Sequence, residues 1–204
     1  MTLWEELSKI LEEAEDLFGP RDRSYEILEP EIFAGSHAQG YYVEQKKIKL
    51  YLSNACANEY RYASYELAHE AIHMLSPVFY GQATVLEEGL ATYFSHRYVY
   101  LLYGWEIERS PDPKYDAAMR AASALLSRNE FLIKEIRTRQ PVISKITASM
   151  LVEEGDIHPR LARFLASDFE TYGQKPLSWT EVLARDVDIA FRCVLATLGL
   201  GGSK

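Results

Sequence analysis

Apolar residues change their spacing twice along the chain. Between residues 2 and 18, Leu3, Leu7, Ile10, Leu11, Ala14 and Phe18 recur at helical intervals, with acidic residues on the opposite side. That spacing predicts an amphipathic helix, and Gly19-Pro20 ends it. From 24 to 53 the helical period disappears. Short runs at 25–28, 32–34, 41–43 and 48–52 read as strands, punctuated by Glu29-Pro30, Gly35 and Gly40. The segment 40–52 reads as a hairpin. Alternation in its second arm puts Ile48, Leu50 and Leu52 on one face.

Helical spacing returns after Asn54. Candidate helices cover 57–75, stopped by Ser76-Pro77, and 83–103, stopped by Gly104. Others follow at 113–128, 130–138, 142–154, 159–170 and 180–198. The last has a capping-box pattern from Ser178 to Glu181 and a glycine exit at Gly199. No segment repeats and none is of low complexity. The pattern predicts an α+β chain in which a small N-terminal β-sheet, a hairpin with an edge strand, packs on a mostly helical body. A chain of 204 residues suits a single domain. Within it, 1–53 supplies a helix and the sheet, 54–104 the next two helices, and 105–204 a helical C-terminal subdomain.

Composition narrows the function classes. The formal charge is −8, so the chain repels phosphate backbones, and no basic run offsets this. Nucleic acid is not an expected partner. The N-terminus has no basic region followed by an apolar stretch, and the longest apolar-rich run, 98–105, is too short to span a bilayer. A membrane is therefore not expected either, and the chain reads as soluble and cytoplasmic. Cys56 and Cys193 lie far apart without CxxC spacing and read as thiols in a reducing compartment. The fourteen tyrosines suit a cleft as well as a core, since each ring can pack while its hydroxyl hydrogen-bonds. Nothing in the sequence fixes the oligomeric state.

The chemistry lies in the helix at 57–75, which carries His69-Glu70-Ala71-Ile72-His73. Residues four apart on a helix share a face, so both imidazoles reach one ion. Neutral imidazole is a zinc ligand, and Glu70 stands beside the metal position, where a general base for activated water belongs. The helix is otherwise apolar at Leu67, Ala68, Ala71, Ile72, Met74 and Leu75, and a buried helix holds two histidines and a glutamate only with partners. Catalytic zinc needs a third protein ligand. The segment 85–94 offers two adjacent carboxylates, Glu87 and Glu88, at the start of the next helix.

These two motifs together resemble the gluzincin metallopeptidases, the group of thermolysin-like enzymes and many zinc aminopeptidases. There the active-site helix carries HExxH and a second helix carries a glutamate ligand, often followed by Gly-aromatic/Leu-Ala. Glu87-Glu88-Gly89-Leu90-Ala91 matches that pattern. The resemblance covers roughly residues 40–100 and implies a zincin-like fold, one zinc ion per chain and the ligand set His69, His73 and Glu88. It also implies that the strand at 48–52 is the edge strand above a cleft, to which an extended peptide adds by main-chain pairing. Position 87 departs from the family's asparagine. Thr92 stands where thermolysin-like members have an aspartate that orients a histidine.

The implied reaction is hydrolysis of a peptide or protein amide bond, with Glu70 moving the proton. A donor for the oxyanion is then needed. Tyr93, Tyr115 and His96 are the candidates, with Tyr93 and Tyr115 taken forward. His37 in its glycine-flanked loop, His158 before Pro159, and Glu66 one turn before Glu70 read as surface or supporting groups. The competing function class is a zinc-stabilised regulatory or interaction protein with this fold and little proteolysis. Glu70 favours catalysis, because a purely structural zinc site has no use for a base.

Overall fold

The computed structural model describes residues 2–36, 38–44, 46–78, 81–107 and 112–172; at 39, 41–44 and 172 it describes the backbone. His37, Cys193 and the expected helix at 180–198, with its Ser178–Glu181 cap and Gly199 exit, lie outside the described residues.

The expected α+β organisation is present: the described residues form helices and a small sheet. Helix α1 (Leu3–Phe18) starts at a capping box: Glu5 N donates to Thr2 Oγ1 at 3.1 Å, and Thr2 N donates to the Glu5 carboxylate at 2.8 Å. Its buried side includes Leu7, Ile10, Leu11, Ala14 and Phe18, the stripe read from the sequence, and packs along α2 (Tyr60–Leu75).

The sheet is mixed. Strands β1 (Glu26–Ile27) and β2 (Glu31–Ile32) both run parallel to β4 (Lys47–Leu52), and β3 (Gln39–Glu44) pairs with β4 antiparallel. Glu26 faces Lys47, whereas Glu31 faces Tyr51, so one extra residue is taken up between them. It falls at Leu28-Glu29-Pro30, where proline has no N–H for a ladder bond. In effect β1 and β2 are one strand interrupted at Pro30. This corrects the expectation for 48–52. The β4 strand is central, flanked by β3 on one side and by β1 and β2 on the other, and among the described residues β3 lies at an edge. Side-chain alternation in β4 does follow the sequence reading, with Ile48, Leu50 and Leu52 buried.

Two compact units arise from these elements: Met1–Pro77 with Phe94–Glu108, and Val78–Tyr93 with the chain from Arg109 onward. The first contains α1, the sheet, α2 and the second half of α3 (Val85–Tyr103). Phe18 meets Phe94 edge-on at 5.9 Å. The Glu6 carboxylate is buried in this unit and accepts from Ser64 Oγ at 3.0 Å and Tyr98 OH at 3.1 Å. Burial, reinforced by Glu6, pushes the Tyr98 phenol well above its usual value, so it remains a neutral donor.

The second unit contains the first half of α3 and the helices α4 (Pro113–Leu126), α5 (Leu132–Arg137), α6 (Ala148–Gly155), α7 (Pro159–Leu165) and α8 (Phe169–Tyr172). Asp112 caps α4 by accepting from Lys114 N at 2.9 Å, and Pro113 sits where its missing N–H costs nothing. Two helices expected as continuous are broken. A 3-10 turn at Ile143–Lys145 precedes α6, whose N-cap is Thr147, and α7 ends before α8 begins. His158 is exposed and caps α7, accepting from Arg160 N at 3.2 Å. Among the described residues no helix is long and apolar enough to cross a membrane.

Candidate metal centre

Helix α2 follows β4 through a 3-10 turn, Asn54–Ala57. Ala63, Leu67, Ala68, Ala71, Ile72, Met74 and Leu75 are buried, and the helix is fixed by that broad apolar face. His69, Glu70 and His73 lie together on the remaining, half-buried face. The two imidazoles are 5.3 Å apart between ring centres and tilted by 60°. Such an arrangement lets one nitrogen from each ring aim at a shared point.

Thr84 immediately precedes helix α3; its hydroxyl accepts from Glu87 N at 3.4 Å, and Glu88 N donates to Thr84 O at 3.1 Å. Backbone bonds hold this end. Val85 N donates to Ser167 O at 2.9 Å, and Phe169 N donates to Ala83 O at 3.1 Å. Both glutamates occupy the first turn, where helix dipole and free N–H groups favour negative charge. They differ in surroundings: Glu87 is fully buried and Glu88 is half-buried.

His69, His73 and Glu88 form a group whose ligand atoms all lie within 4.8 Å of one another. Two ligands on one zinc stand about 3.3 Å apart in a tetrahedron of roughly 2 Å bonds, so shifts of less than about an ångström would close the group on an ion. Two imidazole nitrogens and a carboxylate oxygen suit a borderline divalent cation. The structure thus brings together the three residues expected as ligands, and it separates Glu88 from Glu87 by burial.

Glu70 stands beside this group. A Cβ built on Gly40 of β3 would lie 3.6 Å from Glu70 Oε2 and 3.6 Å from Leu50 Cδ2. Strand β3 therefore passes the Glu70 carboxylate at Gly40. Thr92 is buried and donates its hydroxyl proton to Glu88 O at 2.9 Å. Its oxygen can act toward an imidazole only as an acceptor. The half-buried His96 stacks edge-on against Tyr65 at 5.6 Å.

The two tyrosines expected as oxyanion donors lie on α3 and α4. Tyr93 is half-buried, and five residues beyond Glu88 places it about 140° around the helix. Tyr115 is half-buried in the first turn of α4, with its ring 4.9 Å from that of Phe169. Sequence reasoning leaves Glu66 as a surface or supporting group and does not identify its partners. It accepts from Ser53 N at 2.7 Å and from Cys56 Sγ at 3.1 Å. The only local signal was a carboxylate on the same helical face as the HExxH residues.

No protein-family model matches the chain, and neither a curated protein nor a solved structure matches it.

Proposed function

We propose that the chain is a zinc-dependent peptidase of zincin-like fold, acting on the amide bond of a peptide or protein. The observation that carries this reading is the approach of His69, His73 and Glu88 ligand atoms to within 4.8 Å, with Glu70 next to that group but not in it. Two histidines, one carboxylate and an open fourth position make up a catalytic zinc site. When bound, the ion supplies a Lewis acid that polarises a carbonyl and makes water acidic. Glu70 takes the proton from the water and delivers it to the departing amine. Edge strand β3 runs past Glu70, so an extended substrate pairing with its backbone would carry a carbonyl past that carboxylate. Tyr93 and Tyr115 remain the candidates for donating to the oxyanion.

The test compares the zinc-loaded parent with Glu70→Gln. Glutamine keeps the shape of the side chain and cannot take the proton. We expect about one zinc per chain in both proteins. Cleavage of a whole-proteome digest, read as new peptide termini, should appear with the parent alone. Equal cleavage by both would remove Glu70 from the mechanism. Zinc in both with cleavage by neither would favour the regulatory reading of the same site.

A further inference from the structure

Glu66 lies on α2 one turn before Glu70, and the helical period places 66, 69, 70 and 73 within an arc of about 100°. Its carboxylate is held from the sheet side. Ser53 N donates to Oε2 at 2.7 Å, Ser53 Oγ to Oε1 at 2.5 Å, and Cys56 Sγ to Oε2 at 3.1 Å. Ser53 and Cys56 are both buried. Ser53 is the first residue after β4, and Cys56 lies in the 3-10 turn that leads to α2. Three hydrogen bonds from Ser53 and Cys56 converge on this carboxylate, so it pins the end of β4 to the middle of the helix.

The same strand leads back to the site by a second route. Leu50 of β4 pairs with Gly40 of β3, and Gly40 is the residue that faces Glu70 Oε2. A closed circuit therefore runs from Glu66 through Ser53, β4 and β3 to Glu70, and returns along one turn of α2. Slack at the Ser53 joint would let α2 slide or rotate against the sheet. That movement would alter the gap between Glu70 and β3.

We propose that Glu66 is a positioning residue for Glu70, setting α2 against β4 so that the Glu70 carboxylate stands at the β3 edge. The inference rests on the metallopeptidase reading, because only there does the Glu70 gap matter. Burial, then the neighbouring Glu66, pushes the Cys56 thiol up to about 12, so Cys56 stays a neutral donor to the clamp rather than a nucleophile.

The test uses the full zinc-loaded chain and acetohydroxamate, a probe that chelates the metal and hydrogen-bonds to the adjacent carboxylate. We expect Glu66→Gln to keep one zinc per chain and to bind acetohydroxamate on the order of tenfold more weakly, as loss of a supporting partner does at metal sites. Cys56→Ser, which retains a donor, should stay within about twofold of the parent. The double variant Glu66→Gln/Glu70→Gln should bind no more weakly than Glu70→Gln alone, because the first residue acts through the second. If Glu66→Gln does not fold, Ser53→Ala carries the same comparison, since it removes one donor and leaves the charge and the backbone N–H. A lower melting temperature with parent-like acetohydroxamate affinity would reduce the clamp to a fold contact. Additive losses in the double variant would show Glu66 acting elsewhere than on Glu70. A parent that takes up no zinc, or takes up zinc and does not bind acetohydroxamate, overturns the metallopeptidase reading and this inference with it.

Discussion

Glu87 and Glu88 are neighbours in sequence, and the helical turn of about 100° between them gives them different environments. Glu88 groups with the two imidazoles, while Glu87 is fully buried. A zinc titration of the single alanine variants should therefore divide them. Glu88→Ala should weaken zinc by more than about 100-fold, beyond what loss of a supporting partner costs. Glu87→Ala should retain zinc and alter the melting temperature instead. The reverse pattern would move the third ligand to Glu87. At this scale the sequence was most informative where chemistry is local. His69, Glu70 and His73 sit on one turn-and-a-bit of helix, and their geometry follows from the period alone. The choice of Glu88 over Glu87 came only by resemblance, because spacing leaves both at the helix start. The clamp at Glu66 was not legible, since its donors Ser53 and Cys56 come from the preceding strand and turn.

Elements carry those residues into place, and Gly89 shows how tightly. A Cβ there would stand 2.4 Å from Ala118 O and 3.1 Å from Ala122 Cβ, so α3 packs directly on the backbone of α4. The glycine of the Glu-Gly-Leu-Ala motif is thus required by helix packing, one residue from the ligand. We expect Gly89→Ala to destabilise the chain by about 1–3 kcal/mol, as overpacking does in a close-packed core, and to weaken zinc because α3 must shift. Urea unfolding of the metal-free variant together with a zinc titration checks both effects. Parent-like stability would mean that α4 yields freely at Ala118. Helix positions were legible from apolar periodicity, and α1, α2, α3 and α4 form close to the expected limits. Strand order was not. Pairing depends on partners distant along the chain, and the hairpin pattern hid that β1 and β2 occupy the other side of β4. Thr147 was overlooked as a helix start, so the break before α6 was missed.

For the molecule as a whole, the question is whether an ion at His69, His73 and Glu88 folds the chain or only completes it. Each unit has an apolar interior of its own. Leu7, Ile10, Leu67 and Ile72 are fully buried in one, and Leu125, Leu132, Ile133 and Leu165 in the other. Small zinc domains that lack such interiors unfold when stripped of metal. This chain should not. After chelation we expect its far-ultraviolet circular dichroism to keep the helical signal while its melting temperature falls. Returning zinc at about 100 times its dissociation constant should restore roughly 2.7 kcal/mol by mass action alone. Amide exchange should slow on zinc addition at residues 66–73 and 85–92, which carry the ligands, and remain unchanged in α5 and α6. Loss of the helical signal on chelation would make the ion structural and weaken the case for Glu70 as a base. An unchanged melting temperature would deny the site its ion. Only the predicted middle result, a folded apo-chain with locally loosened ligand helices, fits an open catalytic centre placed on an independently stable scaffold.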